Sequence, residues 1–236
     1  MKVSLFIPTL NEIEGVKAIM PRVKREWFDE VIIVDGNSTD GTREYLESLG
    51  YSVLSQTVPN LMGAWWQGFQ AATGDVIVLF SPDGNSIPEL LPALIKKMRE
   101  GYDMVTVSRY KDDAKSEDDD LLSKLGNGFF TGMINLLFRS HYTDVLVIFR
   151  GFKKELLTSF HLTKDSGAQF NPTRLGIYEL FLCIGCAKQK KRVAEIAGDE
   201  LHNIGRNESR AFKNNYAKIA AAFTMLYHIV RERISS

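Results

Sequence analysis

The chain has 236 residues, and its 29 Lys+Arg balance its 29 Asp+Glu. That balance lacks the basic footprint of a nucleic-acid binder, and no apolar stretch reaches the ~20 residues needed to span a bilayer. The length fits one domain or one domain with an elaborated end. Met1-Lys2 leads straight into a strand pattern, so no leader is expected and a cytoplasmic location is.

The first apolar run, Val3–Ile7, ends in Pro8-Thr9-Leu10-Asn11-Glu12, and a helical pattern follows over 12–26. The second, Val31–Val34, ends in Asp35-Gly36-Asn37-Ser38-Thr39-Asp40, where Thr39 or Asp40 is placed to cap a helix over 42–49. A third strand is read at 51–54 and a helix at 62–72. Val76–Phe80 then runs abruptly into Ser81-Pro82-Asp83-Gly84-Asn85. Strands with unbroken β-branched runs are those of a parallel sheet buried on both faces. In such sheets ligands bind outside the carboxyl ends of the strands. Pro, Asp, Gly and Asn are also ordinary turn residues, so one such loop says little. Three of them in the first third of the chain, each delivering polar groups at a strand end, point to a site.

A helix at 88–100 stops before Gly101, and a strand is read at 103–107. Residues 111–120, KDDAKSEDDD, read as a solvated loop or as a flap over the site. Leu121–Phe138 reads as a helix with Leu122, Leu125, Phe129, Met133, Ile134 and Leu137 on one face. A strand at Val145–Phe149, a helix at 173–187, a strand at Arg192–Ile196 and a long helix over about 210–233 complete the pattern. Cys183 and Cys186 form a lone C-x-x-C inside an apolar helical pattern, which fits buried thiols better than a zinc or redox site. The four histidines show no ligand spacing.

Phe6–Glu12, IIVDGNSTDGT, Gly63-Ala64 with Gly68, Ala72–Asp75 and SPDGNSIPE, followed by Ser108-Arg109-Tyr110, Thr143-Asp144, Phe149-Arg150 and Arg192–Ile196, resemble glycosyltransferase family 2, and within it the dolichyl- and polyprenyl-phosphate sugar synthases. The likeness covers roughly residues 3–205. It implies an α/β fold of GT-A type: a mostly parallel central sheet flanked by helices. Residues 1–205 would form the catalytic domain, and 206–236 an amphipathic helical extension packed on it, on a membrane or on a partner. The implied activity is inverting transfer from a UDP- or GDP-linked sugar to a polyprenyl phosphate or surface-glycan acceptor, with Mg²⁺ or Mn²⁺.

The resemblance also implies roles. Asp83 would be the metal ligand, with Ser81 where the family carries a first Asp and Asn85 where its polyprenyl-phosphate members carry Gln. Asp35 would contact the nucleoside in a pocket bordered by Pro8, Thr9, Asn11 and Glu12, with Gly63 and Ala64 allowing close backbone approach. Asp144 would be the base for a hydroxyl acceptor, or would position a phosphate acceptor that is already ionised. Arg109, Arg150 and Arg206 would contact phosphates, and Glu179 would lie near the acceptor. Against these roles stand ordinary ones: turn formation for Asp83, loop capping for Asp35, capping before a strand for Asp144, and plain surface for Arg206. A sugar-nucleotide nucleotidyltransferase is the competing enzyme class, but the loop after the first strand lacks its Gly-rich pattern. A nucleotide-sugar binder that has lost its chemistry is the other alternative, supported by Ser81. Any membrane contact would be peripheral, through the faces of 121–138 and 210–233 and the basic cluster Lys188, Lys190, Lys191 and Arg192. The alternative is that these faces are buried in the core or in a homo-oligomer.

Overall fold

The computed structural model describes residues 1–160, 178–204 and 215–234. Strands β1 (Val3–Thr9), β2 (Glu30–Asp35), β3 (Val53–Ser55), β4 (Val76–Leu79), β5 (Met104–Ser108), β6 (Arg150–Lys153) and β7 (Val193–Ala197) form one sheet in the order β3-β2-β1-β4-β6-β5-β7. All neighbours pair in parallel except β6, which runs antiparallel to both β4 and β5. Helices α1 (Ile13–Ile19), α2 (Thr42–Ser48), α3 (Asn60–Ala71), α4 (Leu91–Arg99), α5 (Leu121–Phe138), α6 (Glu155–Ser159), α7 (Tyr178–Lys188) and α8 (Asn215–Ile234) flank it.

Side chains alternate across each strand, and both faces are apolar. Phe6, Ile32, Val34, Ile77, Leu79 and Phe152 enter one core with Trp65 and Phe69 of α3, the inner face of α7, and Ala221, Met225 and Ile229 of α8. Leu5, Ile7, Ile33, Val78 and Val105 enter the other with Val16 of α1 and Leu91, Leu94 and Met98 of α4. This period-two burial on both faces explains the continuous apolar runs.

Four elements depart from expectation. The helix read over 12–26 ends at Ile19 and tightens into a 3-10 turn at Met20–Arg22, because Pro21 has no N–H to continue the ladder. The strand read at Val145–Phe149 lies instead at Arg150–Lys153. The Arg150 guanidinium donates to the carbonyls of Val145 and Val147, so those acceptors are occupied by a side chain rather than by a neighbouring strand. In α5 only Ile134 of the apolar face read from the sequence is fully buried, together with Asn127, Phe130 and Thr131, while Leu122, Leu125 and Phe129 of that face are exposed. The short helix α6 has no counterpart in the sequence reading. Residues 173–177 and 210–214, expected as helix, lie outside the described residues. Both cysteines are free and buried, and burial pushes the Cys183 thiol up to about 11.

Candidate active site

The parallel strands all deliver their C-terminal residues to one edge of the sheet. The β1/β2 corner is built first. Thr9 and Asp35 are paired in register, and Gly36 donates its N–H to the Thr9 carbonyl at 2.8 Å. Asp35 is buried and accepts from the Ser38 backbone N–H at 3.0 Å and from the Ser38 hydroxyl. Asn11, at φ 49°, donates its N–H to Ser38 Oγ at 2.8 Å and accepts from the Thr39 N–H at 2.7 Å. Glu12 is buried and donates its N–H to Thr42 Oγ1 at 2.8 Å. The carboxylate of Asp40 accepts from the N–H groups of both Ile13 and Thr42 at 3.1 Å, tying the first turns of α1 and α2 together. Asp35 and Asn11 therefore hold the shape of this corner, and Pro8 is half-buried beside them. The Thr9 hydroxyl is buried with no hydrogen-bond partner among the described residues. Gly63 and Ala64 sit in the first turns of α3. A Cβ on Gly63 would meet the Val58 carbonyl at 2.2 Å, and Ala64 faces the core. Their small size lets α3 close on its own preceding loop.

At the end of β4, Asp83 is 9% exposed and Asn85 7%, and Asp83 Oδ1 accepts from the Asn85 N–H at 3.4 Å. The backbone carbonyls of this turn receive N–H groups from the segment after β7: Ile204 to Asp83 at 3.1 Å, and Leu201 to Asn85 at 2.8 Å. From below, the turn rests on α1 at Gly15, where a Cβ would lie 2.3 Å from the Pro82 carbonyl oxygen and 2.8 Å from Asp83 Cα. Ser81 is half-buried in the same turn.

Arg109, just past β5, is the hub of the other half. It donates Nε to Asp144 Oδ2 at 2.7 Å, Nη2 to Asp144 Oδ1 at 3.1 Å and its backbone N–H to Oδ2 at 3.3 Å. Its Nη1 reaches Glu200 at 3.2 Å and Asp119 at 3.3 Å. Burial alone would pull the guanidinium down, but the charges of Asp144, Glu200 and Asp119 outweigh it and raise Arg109 well above its ordinary range. Burial pushes the Glu200 carboxyl up, against the pull of Arg109. Asp144 is fully buried and also accepts from Asn127 Nδ2 of α5 at 3.1 Å and the Leu146 N–H at 3.2 Å. Behind it, Glu195 of β7 accepts from the Thr143 N–H at 2.9 Å and the Thr143 hydroxyl at 2.8 Å.

The charged segment 111–120 is pinned across this half. Asp119 accepts from the Tyr110 hydroxyl, Ser116 Oγ donates to Glu200, and Glu117 and Glu200 pair through the backbone at 2.8 Å. Asn85 Nδ2 donates to Glu200 Oε1 at 3.3 Å and links the Asp83 turn to the Arg109 hub.

The structure thus brings together Thr9, Asn11, Glu12, Asp35, Ser81, Asp83, Asn85, Arg109 and Asp144. It places Arg150 elsewhere. Arg150 is fully buried beneath the site and donates to the carbonyls of Val145, Val147 and Glu179, the last at 3.0 Å, so no N–H faces the crevice. Glu179 is buried beside it, with its carboxyl pushed up to about 7 by burial. Arg206 lies outside the described residues. Glu200, Asp119 and Asn127 were absent from the sequence reading. For Glu200 the signal was weaker: Asp199-Glu200 follows the strand read at Arg192–Ile196, as Asp35 and Asp83 follow theirs, but Glu195 interrupts that run.

One guanidinium facing three carboxylates, with Asp83 alongside, makes an edge that a bare diphosphate would find repulsive. Among the described residues no group of three or more His, Cys, Asp or Glu is placed to hold a metal ion.

The profile of glycosyl transferase family 2 matches residues 4–160, from β1 through the end of α6. The chain belongs to glycosyl transferase family 2. Among its relatives in the family, dolichol-phosphate mannosyltransferase of Pyrococcus furiosus is 34% identical over 126 residues, covering 50% of this chain and 36% of the relative. Glycosyltransferase AglJ of Haloferax volcanii is 28% identical over 189 residues, 79% of this chain and 59% of AglJ. The undecaprenyl-phosphate 4-deoxy-4-formamido-L-arabinose transferase of Pectobacterium carotovorum is 26% identical over 171 residues, 66% of this chain and 50% of the relative. The chain thus spans 36–59% of the length of these relatives. Glucosyl-3-phosphoglycerate synthase of Mycobacterium tuberculosis, solved with Mn²⁺, UDP and phosphoglyceric acid, has the same fold, with a TM-score of 0.70 at 20% identity over 98% of this chain and 78% of that one. The family-2 chain therefore has a GT-A-type fold, and no helix among its described residues is long and apolar enough to cross a membrane.

Proposed function

We propose that this family-2 protein transfers a sugar, with inversion, from a UDP- or GDP-linked donor to the phosphate of a polyprenyl phosphate, at the cytoplasmic face of a membrane. The observation that carries the choice of a phosphate acceptor is the state of Asp144. It is fully buried, and its two oxygens take three donors from Arg109 and one each from Asn127 and Leu146. A carboxylate so occupied is poorly placed to abstract a proton, which a hydroxyl acceptor would require. A phosphate monoester, whose second ionisation lies near pH ~6, arrives already nucleophilic. Its oxygen would form the new bond at the anomeric carbon as the bond to the diphosphate breaks on the opposite face, with no proton to remove. The dolichol-phosphate and undecaprenyl-phosphate names of two relatives agree with this choice.

In this reading Asp144 is a positioning residue. It fixes Arg109, whose Nη1 edge points toward Glu200 and the Asp83 side of the crevice. Thr9, Asn11, Glu12 and Asp35 border the nucleoside. A divalent cation fits the oxygen-rich Asp83–Asn85 turn as a one-carboxylate site, since Mg²⁺ commonly takes one or two carboxylates plus substrate phosphates. Asp83 would hold it, with Asn85 and Ser81 beside it, and when bound it would neutralise charge developing on the leaving diphosphate.

The test is incubation with labelled UDP- and GDP-sugars and either polyprenyl phosphate or the matching polyprenol, with and without Mn²⁺. Glycolipid is expected from the phosphate alone. Equal transfer to polyprenol, or to a glycan hydroxyl, would defeat the reading.

A further inference from the structure

We infer that Glu195 of β7 is the positioning residue that sets the Arg109–Asp144 pair for the acceptor. The strand is an odd place for an acid. Glu195 sits at the middle of β7, paired in register with the fully buried Thr106 of β5. By alternation it shares a side with Val193, which packs against the core that α7 enters. A carboxylate there is tolerable only where the fold supplies donors.

The loop before β6 supplies them. Glu195 accepts from the Thr143 N–H at 2.9 and 3.0 Å through its two oxygens, from the Thr143 hydroxyl at 2.8 Å and from the Asp144 N–H at 3.3 Å. The Thr143 hydroxyl also lies 2.6 Å from Ser108 Oγ, and Ser108 Oγ accepts from the Tyr110 N–H at 3.2 Å. A carboxylate can only accept. Thr143 therefore gives its proton to Glu195 and accepts from Ser108, whose own oxygen is left to take the Tyr110 N–H. Glu195 thus fixes the direction of a relay that runs from Tyr110 through two hydroxyls to its own side chain.

Arg109 lies between Ser108 and Tyr110, and its guanidinium stands over the Tyr110 ring at 5.4 Å. One carboxylate therefore anchors both segments that meet at the site: residues 108–110, which carry Arg109, and residues 143–144, which carry Asp144. The Arg109–Asp144 bonds hold the pair to itself, and Glu195 holds the pair to the sheet. Capping of residues 143 and 144 would be complete without Ser108 or Tyr110; their inclusion is what ties Glu195 to the guanidinium. Glu195→Gln keeps the size and breaks this logic. An NH₂ in place of Oε2 forces the Thr143 hydroxyl to accept and reverses the relay, and in place of Oε1 it meets the Asp144 N–H head on.

Two readouts on the full chain test the inference. The first is the Nε–H resonance of Arg109 in ¹⁵N-labelled protein, assigned through Arg109→Lys. The buried Arg150 Nε–H, which donates to the Val147 carbonyl at 3.0 Å, is the internal reference. Glu195→Gln is expected to shift the Arg109 signal and speed its exchange with solvent about tenfold, the worth of one hydrogen bond to a charged group, while Arg150 stays unchanged. The second is kinetics with polyprenyl phosphate and labelled UDP- or GDP-sugar. Acceptor KM should rise about tenfold, with UDP or GDP affinity by calorimetry within about twofold of wild type. Thr143→Val, which cuts the relay and keeps the carboxylate, should move both readouts the same way by less, and Glu195→Asp should recover part of the loss. An unchanged Arg109 signal in Glu195→Gln, equal movement of Arg109 and Arg150, or nucleotide affinity falling in step with acceptor KM would overturn the inference. If Glu195→Gln does not fold, Thr143→Val decides by the same criteria. The inference rests on the phosphate-acceptor reading only in its kinetic arm. A wild type that makes no product from polyprenyl phosphate defeats that reading, and the Arg109 signal still decides the role of Glu195.

Discussion

Asp144→Asn separates a positioning role from a base role. The substitution keeps the side-chain shape and removes the charge opposite Arg109. It also puts an NH₂ where Oδ1 or Oδ2 now accepts from Arg109 at 2.7–3.1 Å and from Asn127 at 3.1 Å. Breaking a buried ion pair by removing one partner costs about 3–5 kcal/mol. Arg109 keeps Glu200 and Asp119, so the low end applies, ~3 kcal/mol. For a chain of this length that lowers the melting temperature by about 6–12 °C. Turnover, measured well below the new melting point with saturating donor and a polyprenyl phosphate, should fall less than about tenfold, because no proton transfer is lost. A positioned base would be worth ~10²–10⁴-fold. The assay pairs thermal melting by circular dichroism with initial rates on labelled donor. An unchanged melting temperature would refute the buried pair. A hundredfold or greater loss of turnover in a folded variant with unchanged donor affinity would refute the phosphate-acceptor argument and restore Asp144 as a base.

Asp83→Asn should fold normally and lose most metal-dependent turnover, with Mn²⁺ affinity in the presence of UDP reduced in calorimetric titration; near-wild-type turnover with an unchanged metal requirement removes Asp83 from the mechanism. Gly15→Ala drives a Cβ into the Pro82 carbonyl and the Asp83 backbone, so it should cost about 1–3 kcal/mol in urea unfolding and weaken Mn²⁺ binding in parallel. An alanine variant as stable as the wild type would show that α1 does not hold this turn. Burial pushes the Glu179 carboxyl up to about 7, against the opposing charge of Arg150 and from an ordinary value of 4.5, so the folded chain keeps this proton at a pH where the unfolded chain has released it. The resulting stability is present below pH 4.5, declines as pH rises and is gone above pH 7. Glu179→Gln should therefore flatten the fall in melting temperature between pH 5 and 8, a difference of up to ~3 kcal/mol, and identical pH profiles would show that Glu179 is not buried as described.

The sequence alone determined what depends on neighbours along the chain. Val31–Val34 and Val76–Leu79 are strands because β-branched runs suit a sheet covered on both faces. The residues after them turn because Asp, Gly, Asn, Ser and Pro support turns, and a parallel sheet necessarily gathers those turns at one edge. That was enough to bring Thr9, Asp35 and Asp83 into one crevice. It was not enough to say which face of α5 is buried. Periodicity marks an apolar face there but does not say whether that face meets the core. The choice is made by Asp144, which draws the polar Asn127 inward and leaves Leu125 and Phe129 outside. Likewise Arg150 looks like a phosphate ligand until its donors are found on the carbonyls of Val145, Val147 and Glu179. Arg109 meets Glu200 across 91 residues of chain, a contact no local pattern encodes. Which charges are paired and which apolar faces stay open are properties of non-local packing, because desolvating a charge is tolerable only where the fold supplies its partner.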